Sequence, residues 1–571
     1  MKILPWLYKT GFSSFKTMIS LTCWDNCQRS MTMRLALVAI GFSIFFSSIA
    51  YRLVSLVLEP HEQRSQLATK QVARKEITDR NGTLLAVNIP TSSLFANPQH
   101  MVNIQKDVAK LVKALPGLDG KKLLSELDPK KTFVWIKHDI TPKEHKAIND
   151  LGIAGLYFEK EDRRLYTYGS LLSHVIGYVG RQSAGLAGLE KSYDKFLQSS
   201  DSADKSKSLA LTIDVRVQNI VAEELDKIME ATRAPAAIGI VVDPNSGEII
   251  ALVSKPDFDP HNPAKASPEA LFNNATLGVF EMGSVMKTLT MAIGFDTGTI
   301  TTSDAYNLSG LRVSGFQVKD AHPVAGWHSV PEIFLHSSNI GVTQIALETG
   351  QSAFQSYYKK LGLLDKLQLE LPECSSPLYP RNMNWSNLTL TTMSYGYGIS
   401  ISPMHFIQAA LPSVNGGYLH PLTLIKKDAS ERPEPLQVLK ASTSESMLKI
   451  MRLVVTEGTG RKAAVKGQLI AGKTGTAEIQ EGRHYVKNAR RSSMLAAVPA
   501  IDPKYVVYVM LNKPQPTKES YGFAGAGWNA APTAGAIISR IAALYGMKNY
   551  DEDDPEIVEK LHLELLHDNK T

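Results

Sequence analysis

Gly283-Ser284-Val285-Met286-Lys287-Thr288-Leu289-Thr290-Met291-Ala292-Ile293-Gly294-Phe295 is the stretch on which the reading of this chain turns. Its apolar residues recur with helical spacing, so a helix is expected to begin at Ser284 and to carry Lys287 one turn on, facing the same side. That spacing suits a nucleophile and its base. A serine hydroxyl is inert until a neighbour takes its proton, and a lysine can take it only if burial or nearby cations lower its pKa. The helix N-terminus also aims free N–H groups at an incoming oxyanion. Ser-x-x-Lys alone is a common pattern, equally compatible with an N-cap serine and a surface lysine.

Two further elements change its meaning. Ser337-Ser338-Asn339 follows a short helical pattern, and Ala471-Gly472-Lys473-Thr474-Gly475-Thr476 lies much later in a strand-like stretch. Asn339 can hold a peptide amide in two directions, Ser337 can pass a proton, and Lys473 with Thr474 can meet a carboxylate. Gly475 leaves the strand surface bare, so that a peptide can lie against the backbone.

Outward from these motifs the chain reads as α+β. Residues 236–254 are strand, Pro-Asn-Ser-Gly turn, strand; helical segments follow; strand patterns return at Lys473 to Ile479 and Lys504 to Leu511. A sheet that joins distant parts of the chain is therefore expected. Upstream, Asp79-Arg80-Asn81-Gly82 between β-type runs signals a hairpin whose two central residues tolerate positive φ. Residues 101–150 are lysine-rich with helical spacing at Val108, Leu111, Val112 and Leu115, and Gln198 to Ser208 reads as a hairpin or linker. The expected divisions are 1–34, 35–58, 59–208, 209–550 and a 551–571 tail whose Ile557, Val558, Leu561 and Leu565 suit a short amphipathic helix. His562, Glu564 and His567 in that tail match no metal-binding spacing and read as solvated. Cys23 and Cys27 lack two further ligands, so no metal is expected.

The 571 residues carry 62 Lys plus Arg against 55 acidic residues, a net +7, and are 44% hydrophobic. Much of the excess sits in the first 34 residues, where Lys2, Lys9, Lys16, Arg29 and Arg34 face Asp25 alone. The rest shows no cation cluster of the kind nucleic acid requires. From Leu35 to Tyr51 there is no charge, and apolar residues continue past Arg52 to Leu58, which suits one membrane crossing. A cleaved signal peptide, with Ser48-Ile49-Ala50 as its small-x-small site, is the rival reading. The positive-inside rule places the N-terminus in the cytoplasm and everything after about residue 60 outside, which in a bacterial cell means the periplasm or the outer surface. Cys374 stands alone beyond that segment, so no disulfide framework is possible there.

The three motifs, in this order, resemble those of the class B penicillin-binding proteins, the monofunctional peptidoglycan D,D-transpeptidases. The resemblance extends over nearly all of residues 35–545. Arg74 to Ala86 is similar to the family's R-G-x-I-x-D-R-N-G-x-x-L-A motif, with Lys75 in place of its glycine, and Gly185 to Glu190 is similar to G-x-x-G-x-E. Asp243 to Gly247, Val253 to Pro263 and Gly458-Thr459-Gly460 resemble further family elements, with Met282 where proline is usual. Ser394-Tyr395-Gly396-Tyr397-Gly398 is similar to the run of the septal, FtsI-type branch. The resemblance implies a single transmembrane helix, a non-catalytic dimerisation-like pedestal and a transpeptidase domain with an antiparallel sheet flanked by helices. It further implies Ser284 as acylated nucleophile, Lys287 as general base, Ser337 as proton donor to the departing D-alanine, and Asn339 positioning the donor peptide. Lys473, Thr474 and Thr476 would recognise the terminal carboxylate, Gly475 would belong to the same substrate-binding strand, and the amides of Ser284 and Thr476 would form the oxyanion hole. No cofactor is implied. The implied partners are D-Ala-D-Ala donor and amine acceptor stem peptides, β-lactams as covalent inhibitors, a SEDS-family (FtsW-type) glycosyltransferase and other divisome membrane proteins. An elongation-type enzyme is the nearest alternative, and a β-lactamase or β-lactam sensor stands further off. A positioned deacylating glutamate or a larger cytoplasmic output domain would separate those two.

Overall fold

The computed structural model describes residues 31–58, 74–180, 183–199, 208–380, 385–481 and 484–567. The early cysteines, most of the basic N-terminus and most of the linker expected over Gln198 to Ser208 lie outside these residues. Two compact units divide the chain at residues 72 and 73. The first contains the helix Met31–Leu58, 28 residues without proline. Side chains are described only for residues 38–52 of this helix, and there Phe42, Phe45 and Phe46 are each about 60% exposed. Among the described residues no helix is long and apolar enough to cross a membrane.

The second unit begins with a five-stranded sheet built around the 13-residue strand Leu84–Ala96. Strand Leu156–Tyr166 pairs with it antiparallel from Ala86 to Ala96, while Glu76–Thr78 and Val134–Ile140 also pair with it antiparallel. The Asp79–Gly82 turn is closed by Gly82 N–H donating to Asp79 O at 3.1 Å. Only Gly82, at φ +84°, is left-handed, so Arg80 and Asn81 keep ordinary backbone angles, unlike the expected pair. Helix Ile104–Ala114 buries Val108 and Leu111 but leaves Val112 partly exposed. The strand Val134–Ile140 corrects the all-helical reading of residues 101–150. Its own Val, Trp and Ile favour a pleated surface, a signal masked by the lysines around it.

Buried charge organises this pedestal. Glu190 is fully buried between two arginines, accepting from Arg74 Nε at 3.0 Å and Arg164 Nε at 2.7 Å. Asp194 takes a second Arg74 nitrogen at 2.7 Å. Lys75 donates its N–H to Leu197 O at 2.7 Å outside the left-handed region, so the position does not need the family's glycine.

The second sheet is wholly antiparallel, in the order Ala471–Glu481, His484–Val498, Tyr505–Asn512, Ala236–Val242, Ile249–Lys255. Strands far apart in sequence thus become neighbours, as the texture of the two ends suggested. His484–Val498 was not foreseen, because the charged run Lys487 to Arg491 hides its apolar half. Helices Val215–Thr232 and Ala530–Tyr545 pack on one face with Val221, Leu225, Ile537 and Ile541 in a buried apolar layer. The other face carries a larger core that includes Val285, Met286 and Leu289 of the serine segment. Ala471–Glu481 is an edge strand, and its free edge is a row of backbone donors and acceptors.

Candidate active site

Ser284 lies in a 3₁₀ turn, Gly283–Met286, that runs directly into helix Lys287–Thr297. Apolar neighbours bury Val285, Met286 and Met282, while Ser284 is only partly covered. The turn is clamped on two sides by backbone. Gly283, at φ +60°, donates its N–H to Gly396 O at 3.1 Å, and a Cβ on Gly396 would stand 2.1 Å from Gly283 O. The Ser394–Gly398 run is therefore the shelf under the serine turn. Thr290 Oγ1 also donates to Ser394 O at 2.7 Å, tying the helix to it.

From the other side comes the edge strand. A Cβ on Gly475 would sit 2.8 Å from Val285 Cγ1 and 3.1 Å from Val285 N. The bare face of Gly475 is thus filled by the serine turn, and it is the strand's free edge that stays open to a peptide. Alternation along the strand puts Lys473 and Gly475 on one face, with Lys473 Nζ 5.3 Å from the Phe334 ring centre. Thr474 and Thr476 lie on the other. There Thr474 Oγ1 is 2.5 Å from Thr459 Oγ1, and Thr476 Oγ1 accepts from Ala526 N–H at 3.3 Å.

Ser337 sits between helices Val330–Leu335 and Asn339–Thr349 in the left-handed region, φ +56°. A non-glycine residue there stores about 1–3 kcal/mol and persists only when its surroundings hold it. The holder is Lys287, whose fully buried Nζ donates to Ser337 O at 2.5 Å and to Ser337 Oγ at 3.2 Å. Asp320, which the motifs did not single out, organises the next residues. It accepts from Ser338 Oγ at 2.7 Å, from Ile340 N–H at 3.0 Å and from Asn339 N–H. Asn339 Nδ2 in turn donates to Lys319 O at 2.7 Å. Only an isolated Asp in a loop marks Asp320 in the sequence, and nothing local says that it caps a helix that begins 19 residues on.

The two lysines differ electrostatically. Burial pushes Lys287 well below the usual amine range, and the Lys473 charge lowers it further, against an upward pull from Asp320. Burial alone brings Lys473 to about 7. A neutral amine at Lys287 is what a base for serine requires, and its contact with Ser337 Oγ supplies a route for a proton. The structure thus gathers the Ser284, Ser337 and Lys473 segments, which lie far apart in sequence, into one site. Trp528 stands at its edge, half-buried, stacked with the exposed Phe523 and with Lys462 Nζ 3.4 Å over its ring.

Comparison with known proteins agrees with this geometry. Residues 237–538 match the penicillin binding protein transpeptidase domain, and residues 69–224 match the penicillin-binding protein dimerisation domain. The chain is 36% identical over 494 residues to the probable peptidoglycan D,D-transpeptidase FtsI of Caulobacter vibrioides, covering 84% of this chain and 82% of that protein. It is 29% identical over 515 residues to the peptidoglycan D,D-transpeptidase FtsI of Escherichia coli K12, covering 85% and 86%. Among solved structures, penicillin binding protein 3 of Mycobacterium tuberculosis, complexed with aztreonam, shares the fold at TM-score 0.67 and 22% identity, over 84% of this chain and 98% of that one. The chain belongs to the penicillin-binding protein transpeptidase family. Its paired dimerisation and transpeptidase domains make it a class B member, of the FtsI type.

Proposed function

We propose that the protein is a septal peptidoglycan D,D-transpeptidase working through an acyl-enzyme on Ser284. The observation that carries the reading is the buried, depressed Lys287 bonded to Ser337 beside a partly open serine turn. The donor stem peptide lies along the free edge of strand Ala471–Glu481 as an added strand, its terminal carboxylate meeting Lys473 and Thr474. Ser284 Oγ attacks the penultimate D-alanine carbonyl while Lys287 Nζ takes its proton, and the amides of Ser284 and Thr476 hold the oxyanion. The proton passes through Ser337 Oγ to the leaving D-alanine amine. An acceptor amine then attacks the ester by the reverse path, with Asn339 orienting the donor amide. A β-lactam acylates the same serine, but its leaving amine stays tethered in the opened ring and blocks the acceptor. Time-resolved intact mass with benzylpenicillin is the test. One slowly hydrolysed penicilloyl adduct is expected, absent in a folded Ser284→Ala variant. Turnover within seconds would point to a β-lactamase instead.

In this reading residues 35–58 form a single uncleaved anchor, of which only residues 38–52 have described side chains, with the N-terminus cytoplasmic and the catalytic domain periplasmic. Its support is the uncharged run from Leu35 to Tyr51 behind a basic lead. N-terminal sequencing that starts near Tyr51 would sink it. The pedestal is the coupling element to a SEDS-family glycosyltransferase. Arg80 joins the two domains by donating to Glu248 Oε2 at 3.0 Å, and Arg432 reaches the other oxygen of that carboxylate at 2.5 Å. Arg80→Ala is expected to impair division while purified protein keeps its rate of penicillin acylation. Depletion giving filaments of normal width supports the septal assignment, and round cells would support elongation.

A further inference from the structure

Helix Val330–Leu335, which ends at the Ser337 turn, is gripped from outside by the end of the chain. Helix Pro555–Leu561 stops before His562, and the chain then runs on to His567, whose N–H donates to Glu332 Oε1 at 2.7 Å. His567 Nδ1 lies 3.0 Å from the same oxygen. The tail histidine lies beyond the helix and stays 56% exposed, as its local sequence suggests, yet it reaches Glu332 with both its backbone N–H and its ring. His328 completes the group, its ring centre 4.8 Å from that of His567. Among the described residues, His328, Glu332 and His567 bring donor atoms within 4.8 Å of one another.

His328 is only 8% exposed, and its Nδ1 is buried without a hydrogen-bond partner. Its Nε2 lies 3.2 Å from Ala325 O, which can only accept, so Nε2 carries the hydrogen and Nδ1 the lone pair. A backbone carbonyl holding one ring nitrogen of an imidazole is the usual support for a metal bound at the other. Glu332 is held in the same manner. Its Oε2 accepts from Ser329 N–H at 2.6 Å and Oγ at 2.8 Å, leaving Oε1 for the cluster. His336 stands at the edge, its ring centre 5.7 Å from that of His328.

We propose that His328 Nδ1, Glu332 Oε1 and His567 Nδ1 form a site for one divalent transition-metal ion, Zn²⁺ by ligand type, that clasps the C-terminal tail to the helix leading into Ser337. Two imidazoles and a carboxylate are the donors Zn²⁺ takes, and they exclude the oxygen-only ions Mg²⁺ and Ca²⁺. Tetrahedral ligands at about 2.0–2.1 Å from zinc stand about 3.3 Å apart, so side-chain movements of about 1 Å close the group. The ion replaces the hydrogen now shared by His567 Nδ1 and Glu332, and that hydrogen moves to His567 Nε2. His336 or a water fills the fourth position. The clasp joins residues 235 apart in sequence, which is why no local spacing announces it.

The test is metal content of the full-length, tag-free protein in detergent after chelation and titration with Zn²⁺. The wild type is expected to hold one equivalent more than His567→Ala, and the chelated protein to melt at lower temperature than the zinc-loaded one. His328→Ala should lose the same equivalent, while a truncation after Leu566 separates loss of the ligand from loss of the fold. Substituted Co²⁺ should give ligand-field bands without the thiolate charge transfer that binding at Cys23 and Cys27 would produce. Equal zinc stoichiometry in wild type, His567→Ala and His328→Ala, with each variant still acylated by penicillin, overturns the site.

Discussion

Replacing Lys473 by methionine should stabilise the protein at neutral pH while disabling it. Burial brings Lys473 from 10.5 to about 7. At about 1.4 kcal/mol per unit, a fully protonated Lys473 costs the fold about 5 kcal/mol, and at pH 7 the cost is about 4 kcal/mol. The sign follows from proton counts. The unfolded chain binds a proton that the folded site resists, so this lysine's penalty is full below pH 7 and fades as pH rises towards 10.5. Methionine keeps the unbranched volume. It gives up the Nζ hydrogen bond to Thr474 O at 3.2 Å and the contact with the Phe334 ring at 5.3 Å, about 1 kcal/mol each. The net expectation is a gain of about 2 kcal/mol at pH 7 that reverses to a loss near pH 10. Reversible denaturant unfolding of the detergent-solubilised protein at several pH values reads the first effect. Acylation by a fluorescent penicillin reads the second, and should slow about 100-fold if the cation supplies a few kcal/mol to the transition state. A variant less stable than wild type at pH 7, or a difference that does not change with pH, would refute the assignment of a strained buried cation.

Gly396→Ala places a Cβ against Gly283 O and forces a left-handed alanine, at a combined cost of about 3–5 kcal/mol; acylation should fall at least tenfold, and an unchanged rate would show that the shelf does not set the serine turn. Asp320→Asn removes the charge that pulls the Lys287 pKa upward, so the acidic limb of the acylation pH profile should move to lower pH; movement to higher pH contradicts the placement of Asp320. Glu190→Gln leaves Arg74 and Arg164 facing a neutral amide in a buried site, and a loss of about 3–5 kcal/mol is expected in unfolding experiments, with penicillin acylation retained at temperatures where the variant is folded.

Chemistry in this protein is written in short words: Ser284 with Lys287, Ser337 with Asn339, Lys473 with Thr474. The first and last words are legible because a helical spacing or a strand alternation fixes local geometry whatever surrounds it, whereas Ser337 and Asn339 are placed by Lys287 and Asp320. The strands 236–242, 249–255 and 505–512 were legible for the same reason, since their apolar residues form continuous buried runs. The strand Val134–Ile140 and the strand His484–Val498 were not, because the lysines and arginines in and beside them dilute the signal, even where, as at Arg491 over the Phe280 ring, the cation is packed inside. Tertiary structure alone decided which way Gly475 is bare, that Gly396 supports the nucleophile, and that Asp320 caps the Asn339 helix. It alone set the two lysine pKa values, since desolvation belongs to the packed neighbours and not to the residue. The same holds for Arg80 with Glu248 and for His567 with Glu332. These pairs are made by chain closure over long separations, and a sequence pattern reports only what lies within a turn or two of itself.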